Sequence, residues 1–217
     1  MKLAVYTAIT AGKDSLKEPR VPEDGVDWIF FTDRPQDYAG TAWDIRPACS
    51  LFADPRRNSR AHKLLAHQYV PDYDCSLWID GSTVLLTSAI RLARTYLADA
   101  DVAMFRHPAR SCIYVEAAGC AGAGYDAQET FDAQVAKYRR AGYPADNGLH
   151  ECTVILRRHN ARTEAFNNAW WAEYCRYSCR DQVSMNYVAH TLGIKIALFP
   201  GDLRCNPGIV GHGGHLR

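Results

Sequence analysis

Several familiar signals are missing from this chain. No Gly-x-Gly-x-x-Gly follows its first apolar segment, and no Walker A run occurs. Neither a dinucleotide-dependent oxidoreductase nor a P-loop nucleotidase is therefore supported. No apolar run reaches the ~18 residues that suggest a membrane-crossing helix. The opening Met1-Lys2-Leu3-Ala4-Val5-Tyr6 is too short in its apolar part for a signal peptide. No excess of one charge exists either. Lys and Arg total 25 against 24 acidic residues, a formal net charge of +1, which gives no global pull toward nucleic acid or membrane. Eight cysteines occur without one Cys-x-x-Cys pair, and the four-residue step from Cys175 to Cys179 is not a common zinc spacing. With no export signal, reduced thiols in a cytoplasmic protein are the expectation. Internal repeats and low-complexity tracts are absent too.

What is present is ordinary globular material. Hydrophobic residues make up 47% of 217 and charged ones 23%, enough for one sizeable core. A single domain over 1–217 is expected. Short β-branched and aromatic runs mark strands at Leu3–Ala8, Asp27–Thr32, Trp43–Arg46, Ser76–Ile79, Val102–Phe105, Cys152–Leu156 and Ile194–Phe199. Helical spacing marks Pro55–Val70, Ser88–Leu97, Ala127–Arg140, Arg162–Tyr174 and Asp181–Thr191, with a further helix at Ile113–Gly119. Asp54 is the expected N-cap and Pro55 the first residue of the first helix. From Pro200 on, the glycines and prolines read as loop. This alternation predicts an α/β sandwich with a mainly parallel sheet, helices on both faces and a site at the strand C-termini.

The chain is organised around Ser76-Leu77-Trp78-Ile79-Asp80-Gly81, a buried strand ending on a carboxylate. Asp80 there can face a ligand, or it can simply open an Asp-Gly turn. Other groups fall where such a sheet binds ligands. Tyr6 and Thr7 end strand one and Asp33 follows strand two, suiting a planar base or serving as packing and a turn. Arg57, Arg60 and Lys63 share one helix, where fixed cations can hold phosphates or merely face solvent. Arg180, Asp181 and Gln182 begin another helix, which its dipole alone could explain for Asp181. His107 follows a strand, and Glu151 stands just before one. His212 lies among Gly211, Gly213 and Gly214, which would let imidazole and backbone approach an ion or phosphate.

The order of these groups resembles the nucleotide-sugar glycosyltransferases of the GT-A fold. Arg60-Ala61-His62-Lys63-Leu64-Leu65, then Pro71-Asp72-Tyr73-Asp74, then Leu77-Trp78-Ile79-Asp80-Gly81-Ser82 is similar to their helix followed by Asp-x-Asp. More narrowly, the chain resembles the plant mucilage-related glycosyltransferase-like family. The stretches that carry this are Val5–Thr10, Phe31–Asp33, Trp78–Gly81, Arg106–Pro108, Arg157–Asn160, Trp170-Trp171 and Arg180–Gln182.

The resemblance implies a Rossmann-like GT-A domain that transfers a hexosyl or pentosyl group with retention. The donor would be a nucleoside-diphosphate sugar and the acceptor a hydroxyl of a glycan, small molecule or nucleic acid. Tyr6, Thr7 and Asp33 would hold the nucleoside, and Lys63, with Arg57 or Arg60, the diphosphate. Asp181 and Gln182 would lie under the donor sugar, and Glu151 would assist the acceptor. His107 and Arg180 would contact substrate. Asp80 matches the first carboxylate of Asp-x-Asp, but Ser82 replaces the second and is a poorer ligand for a hard cation. Asp80 and His212 would then share a weakly held divalent metal, manganese before magnesium because an imidazole takes part. Two other readings use the same cleft. One is a metal-dependent hydrolase on Asp80, His107 and the terminal histidines. The other is a non-catalytic nucleotide-sugar binding module.

Overall fold

A computed structural model describes residues 1–204, 206 and 208–212, with His212 described by its backbone alone. The first strand, β1 (Leu3–Ile9), is buried at every position, as suits an apolar run covered on both faces. It pairs in parallel with β2 (Val26–Thr32) on one side and β4 (Cys75–Ile79) on the other. The short β3 (Asp44–Pro47) extends the sheet beyond β2, also in parallel. Beyond β4 lie β7 (His150–Arg158), β6 (Val102–Arg106) and β8 (Ile196–Leu198), so the order is β3-β2-β1-β4-β7-β6-β8. Among the described residues of this sheet, only β7 runs against its neighbours. The expected mainly parallel α/β sheet is therefore what the chain forms.

Two apolar layers cover the sheet. On one face α3 (Ala89–Tyr96) packs through Ala89, Leu92 and Ala93, helped by Leu203, Ile209 and Val210. On the other lie α1 (Pro55–Leu64), α2 (Ala66–Tyr69), α6 (Ala161–Arg176) and α7 (Asp181–Thr191), contributing Leu64, Phe166, Trp170, Tyr174 and Met185. The successive β4 residues Leu77 and Trp78 join opposite layers, as the two-residue period of a strand requires. A third cluster joins α4 (Ile113–Gly122) and α5 (Gln128–Arg140) to Val183 on α7.

Several boundaries differ from the sequence reading, and three of the differences bear on the site. The helix expected over Pro55–Val70 is two helices, broken at Leu65 (φ −101°, ψ 45°). The cause is Arg157, fully buried beneath the break. Its guanidinium donates to the carbonyl of Lys63 (2.5 Å) and to that of Leu64 (3.4 Å), so these acceptors are satisfied outside the helical ladder. The seventh strand is longer than Cys152–Leu156 and takes in Glu151. The segment after Pro200 is not all loop. β9 (Val210–His212) pairs antiparallel with β5 (Thr83–Leu85), with Thr83 opposite His212. Turn-rich composition concealed a strand of three residues. Among the described residues, no helix is long and apolar enough to cross a membrane.

Candidate functional site

The C-terminal ends of β1 and β4 and the first turns of α1 enclose a cleft of about 270 Å³, lined by Thr10, Lys13, Asp14, Arg56, Arg60 and Asp80 among others. Ligands bind open α/β sheets at this end of the strands. α1 begins as its sequence dictates, with Asp54 accepting the amide N–H of Arg56 and Pro55 in the first turn. Helical phase then decides which cations face the cleft. Arg56, Arg60 and Lys63 are four and three residues apart, on one face. Arg57 turns away, lying over the Tyr174 ring and donating to the Tyr174 carbonyl at 3.3 Å.

At the base of the cleft is a buried charge cluster. Lys63 Nζ is 2.7 Å from Asp181 Oδ2 and 3.6 Å from Asp80 Oδ1, and Arg60 Nε is 3.2 Å from Asp181 Oδ2. The Lys63 and Asp181 side chains are only 2% and 3% exposed. Charges so deep persist only when closely paired. Burial alone would raise the pKa of Asp181, but Lys63, Arg60 and Arg180 outweigh it and hold the carboxyl well below its usual range. Trp78 Nε1 donates to Asp80 Oδ1 at 2.8 Å and so orients that carboxylate.

Two tight backbone passages shape the entrance. A Cβ on Gly81 would stand 2.7 Å from Ile9 Cδ1 and 3.4 Å from the Ser15 carbonyl, so a larger residue there would have to push the Ile9 side-chain tip aside. After β1, Ala11 and Gly12 both take positive φ (54° and 62°), a conformation that costs alanine about 1 kcal/mol. Asp33 holds the turn, both its oxygens accepting the Ala11 N–H at 3.0 Å. The turn presents Lys13 and Asp14. Asp14 Oδ2 accepts from the Ser82 amide at 3.4 Å, so a carboxylate reaches the region where Ser82 replaced one in sequence. Nothing in the linear pattern distinguished Asp14 or Lys13 from other loop charges.

The remaining expected residues are distributed as follows. Tyr6 and Thr7, expected at a nucleoside, are wholly buried and do not line the cleft. Tyr6 instead packs edge-on against Trp78 at 5.3 Å and donates to the Lys63 carbonyl at 3.4 Å. Arg57, expected at the diphosphate, does not line the cleft either. His107 does not line the cleft and faces Glu116, with Nε2 3.9 Å from the Glu116 carboxylate. Arg180 and Gln182 reach the same Glu116. Glu151 lies on β7 with Oε2 buried and unpartnered, and burial raises its pKa. His212 returns beside the chain that leaves Asp80, but its side chain lies outside the described residues, as do the following glycines at 213 and 214.

The metal expected from sequence can be tested against these donors. Among the described residues, no three of His, Cys, Asp and Glu gather as a metal-binding group. One oxygen of Asp80 already faces Trp78 and Lys63. These residues do not make a metal site by themselves.

A family model described as TOD1/MUCI70, glycosyltransferase-like domain, matches residues 40–205. The chain belongs to this family. Among curated proteins, it is 32% identical over 154 residues to the probable hexosyltransferase MUCI70 of Arabidopsis thaliana, covering 66% of this chain and 26% of that protein. It is 22% identical over 184 residues to the alkaline ceramidase TOD1 of the same plant, covering 78% and 40%. This TOD1/MUCI70 domain thus spans well under half the length of either relative. Among solved structures, the bifunctional glycosyltransferase WbbM, in its apo form, matches with TM-score 0.54 and 11% identity over 92% of this chain and 39% of that one. Apo mouse xyloside xylosyltransferase 1 matches with TM-score 0.51 and 10% identity over 98% and 97%. At such identities the likeness is one of fold, and that fold is GT-A.

Proposed function

We propose that this cleft binds a nucleoside-diphosphate sugar and transfers its hexosyl or pentosyl group, with retention, to an acceptor hydroxyl. The observation that carries the reading is the Lys63–Asp181–Asp80 cluster with Arg60, opening on a cleft also lined by Lys13 and Arg56. Transfer forms a bond from the acceptor oxygen to the anomeric carbon. It breaks the bond from that carbon to the phosphate oxygen, and the electron pair leaves with the diphosphate. The developing charge on the leaving group is what prearranged cations stabilise. Lys63 and Arg60 suit this task because Asp181 holds them in place before a donor arrives. Gln182, fixed through its amide nitrogen to Glu116 at 2.9 Å, is suited to position the sugar. The acceptor proton needs a base, for which Glu151 is suited by its raised pKa and unpartnered oxygen.

A divalent ion enters this proposal only in company with the donor. Asp80 would supply an oxygen and His212 its imidazole, with diphosphate and water completing the shell. The acceptor is proposed as a glycan or small molecule. A net charge of +1 gives a nucleic-acid acceptor little support.

The test is calorimetry with a panel of nucleoside diphosphates and their sugars, with manganese and with excess chelator, followed by product analysis. Micromolar binding of one donor, and its turnover only when an acceptor is added, is expected. Donor binding without any transfer would favour the non-catalytic module. One observation favours a hydrolase, the relative named alkaline ceramidase. Amide cleavage of a ceramide with no nucleotide requirement would decide for it.

A further inference from the structure

Beside the cleft, α4, α7 and the turn after β6 enclose a second charged cluster. At its centre Glu116 is 1% exposed. Arg110 forms an ion pair with one of its oxygens, and Arg180 Nη2 lies 3.4 Å from the other. Gln182 donates to Glu116 at 2.9 Å and the Cys120 thiol at 3.3 Å. Burial alone would raise the Glu116 pKa, but the Arg110 hydrogen bond and the Arg180 charge outweigh it, so the carboxyl stays ionised. His107 closes one side. Its Nδ1 accepts the amide N–H groups of Ala109 (3.2 Å) and Arg110 (3.0 Å), which puts the proton of the neutral ring on Nε2, toward Glu116.

The charges do not balance. Counted with the adjoining cleft, Lys63, Arg60, Arg110 and Arg180 face Asp80, Asp181 and Glu116, one cation more than carboxylates. Exposure is equally uneven. The Arg110 and Arg180 side chains are 38% and 30% exposed above the buried Glu116, so solvent meets the cations. Arg110 lies so close to Gly119 that a Cβ there would stand 2.8 Å from its Nη2. The Tyr125 ring lies over the Arg180 guanidinium, 5.3 Å away, and remains 48% exposed. Guanidinium forks match carboxylate and phosphate geometry. An exposed aromatic ring beside them offers an apolar surface to the face of a sugar. Through Arg180 and Gln182 the cluster is continuous in the chain with Asp181, which pairs with Arg60 of the cleft wall.

We propose that Arg110, Arg180 and Tyr125 form an acceptor subsite for a saccharide bearing an anionic group, a carboxylate or a phosphate ester. This rests on the transferase reading for its place next to a donor cleft. In it the two arginines take the anion, Tyr125 takes the ring face, and Glu116 keeps the guanidiniums apart and aimed outward.

Saturation-transfer NMR on the full chain tests this, with methyl glucuronide, glucose 6-phosphate and methyl glucoside as probes at equal concentration. Each is measured with and without uridine diphosphate, and nucleotide binding is measured on the same samples. At least one acidic probe should give about fivefold more transfer than methyl glucoside. Arg110→Met should abolish that preference, and Arg110→Lys should keep part of it. Tyr125→Ala should weaken acidic and neutral probes together. The melting temperature of each variant separates lost binding from lost folding, and Arg110→Lys decides if Arg110→Met does not fold. The stronger of the two acidic probes names the anion. Equal signals from acidic and neutral probes, or an acidic preference that survives in both Arg110→Met and Arg110→Lys, overturn the subsite. Acidic preference in a chain that binds no nucleoside diphosphate leaves the subsite standing and overturns the transferase reading.

Discussion

Lys63 and Arg157 are neighbouring buried cations with opposite kinds of partner. Lys63 meets carboxylates, Asp181 at 2.7 Å and Asp80 at 3.6 Å. Among the described residues Arg157 meets only neutral acceptors, the Lys63 and Leu64 carbonyls and Asn167 Oδ1 at 2.9 Å. Carboxylates at the edge of a cleft can share their cation with an arriving phosphate. Backbone carbonyls inside the core cannot. The difference separates a charge available for chemistry from one that holds the backbone delivering it. Arg157 fixes the end of α1, and the end of α1 sets where Lys63 points.

The strongest way to break this comparison is to remove the structural cation. Arg157→Ala leaves the Leu64 carbonyl and Asn167 Oδ1 short of a donor, the Lys63 carbonyl keeping only Tyr6, and opens a cavity. At ~1–3 kcal/mol for each orphaned buried group, a loss of about 3–5 kcal/mol is expected. Urea denaturation measures it. A variant with unchanged midpoint would mean that the helix break at Leu65 does not depend on Arg157.

Removing Lys63 should do the reverse. Asp181 keeps Arg60 at 3.2 Å, so the fold is expected to survive Lys63→Ala. A charge-assisted hydrogen bond contributes roughly 1.5–3 kcal/mol, so donor affinity should fall about tenfold or more. Calorimetry with the nucleoside diphosphate that binds the unaltered chain gives the answer. Affinity within twofold of the original would place the diphosphate elsewhere.

Acid sharpens the comparison, because Arg157 also acts on a histidine. Burial pushes His159 down to about 4, and the Arg157 charge adds to it. His62, between Phe31 and Tyr69, is likewise pushed down to about 4 by burial. An unfolded chain would protonate both near 6.5. Between pH 6.5 and 4 the unfolded state therefore binds more protons, and stability falls as pH falls through that window. The slope is at most ~1.4 kcal/mol per pH unit for each imidazole. Asp181, held below its usual range, should contribute only below about pH 4. Denaturation midpoints of the parent chain and His159→Gln across pH 4–7 test this. A slope unchanged in His159→Gln would rule that histidine out as a source.

Much of this was legible before any coordinates. Asp80 stands at the end of β4 because an apolar run ends there, and Asp54-Pro55 starts α1 as caps do. The order of the motifs led to the GT-A fold and the glycosyltransferase-like family. What escaped was whatever depends on direction rather than order. Tyr6 and Thr7 occupy the expected strand, but packing on both faces of the sheet buries them. Arg157 sits in a charged run, Arg157-Arg158-His159, that gives no hint that one of the three is wholly buried. Glu116 lies on a weakly patterned helix, and only the fold brings Arg110 and Arg180 to it from 6 and 64 residues away.

The smallest expected effect is the most direct test of direction. Arg57 and Arg60 are equivalent in the linear pattern, both basic and both close to Lys63. In the fold Arg60 reaches Asp181 at the floor of the cleft, whereas Arg57 caps α6 through Tyr174. The half-buried cation–π contact and hydrogen bond of Arg57 contribute about 1 kcal/mol each to stability. Arg57→Ala should therefore lower the melting temperature slightly and leave nucleoside-diphosphate affinity within twofold. Arg60→Ala, measured beside it, should weaken that affinity several-fold, though less than Lys63→Ala because Arg60 is the less buried cation. Equal losses from Arg57→Ala and Arg60→Ala would mean that the first turns of α1 rotate when donor binds, bringing Arg57 into the cleft. The site would then have to be redrawn around the basic helix as a whole.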